Sequence, residues 1–356
     1  MSVIFKKSTS TILRAFCGYR LVFPAMLATV LAIGAFPVRA DVALNIIPTF
    51  DSSITGDPNA VAIEGTINQA ISFYENTFTT HTAAQIGVKI DFQEGGGLGG
   101  STTGLYKESY SSFINALTAA GSGDATDTTA LAHLPTGANN PVTGSTTING
   151  KSAELRALGF NTPGFVTNVN GTFDGVITLN TSLTTPGSPG SSFQYSLLAV
   201  TEHEIDEVLG LGSDVGGTGF FADPAPEDLF RYNSTGARSY TNAGSFDDAW
   251  FSLDGTTRLV QFNQANVNNH GGDYGDWWSN QGFGNPGPNP PTRVQDAFAY
   301  PGRNPFLTAT SPESIALDAM GYNLSAVPEP ASLVLFGSLL VVTGIVTRRR
   351  TGLRKN

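Results

Sequence analysis

The chain has 356 residues, 29 of them acidic and 19 basic, and a single cysteine, Cys17. Ten of the basic residues lie in positions 1–40 and 348–356, which hold no acidic residue, so positions 41–347 carry nine basic against 29 acidic side chains, about −20 in net charge. That surplus argues against nucleic acid or anionic lipid as partners, and the lone cysteine excludes a disulfide framework in positions 41–356.

At the start of the chain, Lys6, Lys7, Arg14 and Arg20 lead into an apolar run over 21–36 and then the small-x-small triplet Val38-Arg39-Ala40. This is the layout of a secretory signal, and residues 1–40 are expected to be removed on export. The body, 41–326, follows. Residues 42–50 read as an opening strand. Val61, Ile63, Ile67, Ala70, Ile71 and Tyr74 recur at helical spacing over 60–78, and residues 84–92 alternate like a strand. The glycines of 95–100 lack the Lys-Ser/Thr of a phosphate loop and read as a flexible connection. A second helix is expected over 106–120, a strand over 173–180 and a long helix over 191–211.

Strand and helix alternate through this order, which predicts an N-terminal lobe (about 41–212) with a mixed, mostly parallel sheet. Beyond Gly212 the pattern breaks into short strands and turns, an irregular C-terminal lobe over about 213–326. The fold class expected is therefore α+β.

The chemistry concentrates in His203-Glu204-Ile205-Asp206-Glu207-Val208-Leu209-Gly210 on the long helix. Residues four apart on a helix share a face, so His203 and Glu207 can present an imidazole and a carboxylate to one metal ion. Glu204 then stands beside them as a candidate general base for an attacking water. Asp206 reads as a helix-surface carboxylate. Gly210 is placed to let the chain turn back in a left-handed conformation.

The pattern H-E-x-x-E-x-x-G resembles the metzincin motif H-E-x-x-H-x-x-G-x-x-H/D, with Glu207 in place of the second histidine. The resemblance implies a metzincin-like fold and a secreted zinc endopeptidase. In it His203 and Glu207 would bind Zn2+, Glu204 would be the base, and protein or peptide would be the substrate. The third-ligand position falls on Ser213. Its neighbour Asp214 is the candidate closest in sequence, with His270, Asp223 and Asp228 as alternatives from the second lobe. Residues 226–233, containing Asp228-Leu229-Phe230-Arg231-Tyr232, and residues 311–322, containing Met320, resemble segments that follow the site helix in bacterial secreted members. Met320 would match the methionine that lies beneath the metal. A catalytically inactive surface or matrix relative is the competing reading, as is an adhesin whose acidic surface binds Ca2+. Residues 270–278 are either a calcium or substrate-rim loop or a turn whose tryptophans pack on the second lobe.

The chain ends with Val327-Pro328-Glu329-Pro330-Ala331, an apolar segment over 332–346 and Arg348-Arg349-Arg350. Together, 327–356 resemble the PEP-CTERM sorting tail of Gram-negative bacteria. This implies transient membrane insertion with the arginines on the cytoplasmic side, cleavage by an exosortase-type enzyme, and an extracellular or envelope location in a biofilm setting; a plain, retained C-terminal membrane anchor is the alternative reading.

Overall fold

Apolar residues at period two build the centre of the protein and apolar residues at helical spacing cover it. The computed structural model describes residues 41–81, 87–187, 193–241, 249–264, 273–279 and 293–325. The signal-like segment, His270 and the sorting-tail resemblance lie outside the described residues.

Four strands form the main sheet: β1 (Asn45–Phe50), β2 (Gly87–Glu94), β3 (Gly99–Thr103) and β4 (Gly175–Leu179), in the order β1-β2-β4-β3. β1 runs parallel to β2, with Ile46 opposite Val88, and β2 runs parallel to β4, with Ile90 opposite Gly175. β3 closes the edge antiparallel to β4, with Ser101 opposite Ile177. The two inner strands bury Val88, Ile90, Phe92, Ile177 and Leu179, as expected for strands packed between neighbours.

Five helices matter for the site: α1 (Ala60–Thr77), α2 (Tyr110–Ala120), α3 (Ala125–His133), α4 (Leu197–Leu209) and α5 (Pro312–Ala319). α1 buries Ile63, Ile67, Ala70, Ile71 and Tyr74 along one stripe. Ser109 caps α2 by accepting from Ser112 N at 3.1 Å, and Asp124 caps α3 by accepting from Asp127 N at 3.0 Å. Between α4 and α5 the regular structure shrinks, among the described residues, to two 3-10 turns and a ribbon of three two-residue strands, Arg231–Tyr232, Trp250–Phe251 and Val260–Gln261. One core nonetheless runs from Leu44 and Phe92 through Leu209 to Phe251, Trp277 and Tyr322.

The fold is a mixed α+β arrangement whose main sheet has two parallel pairs and one antiparallel pair. Two local expectations need correction. Tyr106 lies in the strand Leu105–Ser109, which pairs with Thr147–Lys151, so α2 starts only at Tyr110. The glycine-rich stretch is not wholly a loose connection, because Gly99 and Gly100 begin edge strand β3. Among the described residues no helix is long and apolar enough to cross a membrane.

Candidate metal centre

Ser196 starts α4 by accepting from Ala199 N at 3.2 Å, and the helix buries most of its length. Tyr74 of α1 fixes its rotation, donating from its hydroxyl to Glu202 O at 2.7 Å and to Asp206 Oδ1 at 2.9 Å. Asp206 is thus fully buried rather than a surface carboxylate. Burial first, then Glu313, hold its carboxyl well above the ordinary range. At the other end Lys151 Nζ donates to the carbonyls of Glu207 and Leu211, a cation placed where the helix leaves carbonyls without partners. The left-handed turn after the helix is made at Gly212 (φ 142°) and not at Gly210.

With α4 held this way, His203 and Glu207 face one space, and Asp276 joins them from the second half of the chain. One donor atom from each of the three lies within 4.8 Å of the others. His203 Nε2 is 3.7 Å from Glu207 Oε1 and 3.8 Å from Asp276 Oδ1. The imidazole is oriented from behind, where Nδ1 donates to Val294 O at 3.0 Å. That bond leaves Nε2 to point at the carboxylates, the tautomer a metal-binding histidine needs. Ser101 of β3 donates to Glu207 Oε2 at 2.5 Å, and Gln295 Nε2 donates to Asp276 Oδ1 at 2.9 Å.

Asp276 reaches the site by contacts remote in sequence. The backbone of Gly275 rests on that of Gly212 so closely that a Cβ on Gly275 would stand 2.5 Å from Gly212 Cα. Buried Arg231 donates to Tyr274 O at 2.7 Å, and its guanidinium lies over the Phe262 ring at 4.4 Å. One residue beyond Asp276, Trp277 is fully buried and donates to Glu313 Oε1 at 3.0 Å. The same carboxylate oxygen accepts from Gln295 N at 3.1 Å. The segment read as a calcium loop, rim or packing turn therefore packs its first tryptophan and delivers a carboxylate. Its Asp-Trp pair, a charge beside a large anchor, was the only hint of this in the sequence.

Three of the four candidate third ligands from the sequence are engaged elsewhere. Asp214 Oδ2 accepts from Asn149 Nδ2 at 2.7 Å, and the residue is not one of the three-donor group. Asp228 accepts from Ser213 Oγ at 2.6 Å, from Asp214 N at 3.0 Å and from Ala225 N at 2.9 Å, as the staple of the turn after α4. Asp223 pairs with Lys107 at 2.5 Å. His270 lies outside the described residues. Met320 is buried, and its Cε would lie 3.4 Å from a Cβ on Gly210, so it supports the end of α4.

Electrostatically the cluster is a cation surrounded by acids. Burial works against the charged form of His203, but Asp276, Glu207 and Glu204 outweigh it and raise the imidazole well above its ordinary range. Burial likewise opposes charge on Glu207, yet His203, Lys151 and Ser101 bring it below the carboxylate range. Asp276 and Glu204 move the other way, chiefly through burial, with Glu207 adding to both. A divalent cation in the cluster would replace the proton on His203 and favour ionised carboxylates, so the charges present suit a metal ion. Glu204 Oε2 and Gln295 Oε1 are buried without hydrogen-bond partners, two acceptors left over at the edge of the donor set.

Glu204 faces a cleft lined by Gly99, Tyr195, Val200, His203, Val294 and Tyr300. A Cβ on Gly99 would come within 2.4 Å of Glu204 Oε1 and 2.6 Å of Val200 Cγ1, so only glycine lets β3 run this close to α4. No family model, curated protein or solved structure matches the chain.

Proposed function

We propose that the chain is an exported zinc-dependent endopeptidase, with His203, Glu207 and Asp276 holding the metal and Glu204 acting as general base. The observation that carries this reading is the convergence of one imidazole nitrogen and two carboxylate oxygens within 4.8 Å, beside a buried glutamate that has an unpartnered oxygen. A mixed nitrogen and oxygen donor set suits zinc better than calcium or magnesium, which prefer oxygen alone. When bound, zinc supplies Lewis acidity toward the carbonyl under attack.

The remaining work falls to the chain's own groups. Glu204 takes the proton of the attacking water and passes it to the leaving amine. Val294 O and Gln295 keep His203 and Asp276 in register. β3 pairs only on its β4 side among the described residues, so an extended peptide can add along its open edge and cross the cleft in front of Glu204. Export and surface sorting rest on the terminal segments and form part of the same proposal.

The test is zinc content and casein cleavage by the purified chain and by Glu204→Gln. The expected result is about one zinc per chain in both, with cleavage lowered on the order of 10²–10⁴-fold in the variant. Absence of zinc, or equal cleavage by the two proteins, overturns the proposal. Zinc without cleavage in the parent favours a non-catalytic surface protein.

A further inference from the structure

We propose a second metal site, specific for Ca2+, made by Asp124, Asp127 and Asp318 where α3 meets α5. A carboxylate oxygen from each lies within 4.8 Å of the others, and the cluster grades from exposed Asp124 to fully buried Asp318. It shares no residue with the His203 centre and does not depend on that assignment.

Three acidic residues near one another do not by themselves make a site, and the decisive feature is Asp318. Its side chain has no solvent exposure. Oδ1 accepts from Leu324 N at 3.0 Å, whereas Oδ2 is buried with no partner at hydrogen-bond geometry. The nearby Thr126 hydroxyl only tempers its charge. Burying a carboxylate oxygen with nothing bound to it is costly, and two further acids beside it increase that cost. Burial, then Asp124 and Asp127, raise the Asp318 carboxyl to about 8. Among the described residues none of the three carboxylates has a lysine or arginine partner. A bound cation offsets the penalty of the two buried charges and the repulsion among all three.

The other two acids are oriented by local bonds. Asp124 Oδ1 caps α3, and Asp127 Oδ2 accepts from Ser122 Oγ at 2.7 Å. One oxygen of each carboxyl stays outside these bonds. The donors are all oxygen, which selects a hard cation. Mg2+ keeps most of its water shell and binds through one or two carboxylates, whereas Ca2+ takes several carboxylates directly, so three carboxylate donors within 4.8 Å of one another suit Ca2+. Asp124 at the rim gives the ion a way in, and water can complete its shell.

Occupation would clamp α3 to α5. α5 carries Glu313, which holds Trp277 and Gln295 beside Asp276, and Asp318 itself holds the strand Asn323–Leu324. The ion would thus brace the floor of the His203 centre without touching it.

Calcium titration calorimetry and thermal unfolding of the full-length chain test this, each repeated with Mg2+ and in Asp124→Asn, Asp127→Asn and Asp276→Asn. The expected result is one Ca2+ per chain, a dissociation constant on the order of 10⁻⁴ M or tighter, and a Tm that rises with Ca2+ more than with Mg2+. Asp124→Asn, exposed and harmless to the core, should weaken binding about tenfold or more, and Asp127→Asn should abolish it. Asp276→Asn should leave it unchanged. No calcium-dependent shift in the parent overturns the proposal. So does a shift retained in Asp124→Asn and Asp127→Asn, which would indicate diffuse binding to the acidic surface.

Discussion

The two halves of the His203 centre are built by different means. His203, Glu204 and Glu207 stand on one regular helix, where a spacing of four residues sets their geometry. Asp276 stands on irregular chain 69 residues beyond Glu207 and is held by Arg231, Gly212 and, through Trp277, Glu313. Local geometry specifies the first half. The second exists only once the whole fold has closed, so the two should fail in different ways.

The largest effect should come from exchanging the rival third ligands. Asp276→Asn is expected to lower zinc affinity by well over tenfold, since even residues behind metal ligands cost about 10–100-fold when changed. Asp214→Asn should leave zinc affinity within about twofold, because that carboxylate is committed to Asn149. Competition with a chromophoric chelator measures both. The reverse ranking would return the third ligand to the position the sequence suggested.

The contrast between Asp214 and Asp276 shows which features were legible. The spacing of Ile63, Ile67, Ile71 and Tyr74 foretold α1, alternation foretold β2, and the H-E-x-x-E pattern put its residues on a helix. Asp214 looked attractive because it was near in sequence, but Asp228 fastens its backbone and Asn149 takes its carboxylate. β3 was illegible for another reason. Glycine has little strand preference, and the extended form of Gly99 and Gly100 comes from pairing with β4 and from the fit under Glu204 and Val200. Asp206 was misjudged because its partner, Tyr74, is 132 residues away.

The next effect probes the irregular half. Arg231 is fully buried near Glu227 and Asp228, and desolvation lowers its guanidinium to about 10, still charged at neutral pH. Arg231→Met removes that charge and frees the Tyr274 carbonyl. The expected cost is about 3 kcal/mol or more in stability, read by denaturant unfolding, together with a loss of zinc affinity. Gly275→Ala is the milder counterpart. Its methyl group meets the Gly212 backbone, so a cost of about 1–3 kcal/mol is expected, with Asp276 displaced and zinc affinity falling while the α4 half stays folded. If both variants retain parental zinc affinity, the irregular half does not position a ligand.

The smallest effect concerns pH on the regular side. Glu154, in the short helix Ser152–Ala157, is fully buried against Gly210. Burial raises its carboxyl from 4.5 to about 8, against the opposing Lys151 N–H and charge. Between those pH values the folded protein keeps the proton and the unfolded chain releases it. The stabilisation is therefore complete below about 4.5 and is lost as pH rises through about 8. Glu154→Gln keeps the shape and removes this titration, since the protonated carboxyl already places an O–H where the amide N–H would go. The variant should lose less Tm than the parent between pH 5 and 8, by about 2–4 °C for each kcal/mol recovered. Glu202 is also raised to about 8 by burial and keeps titrating with the same sign, so the slope should shrink without vanishing. An unchanged slope in Glu154→Gln would mean that water reaches this carboxyl and that the packing under Gly210 is looser than its contacts with Met320 and Glu154 imply.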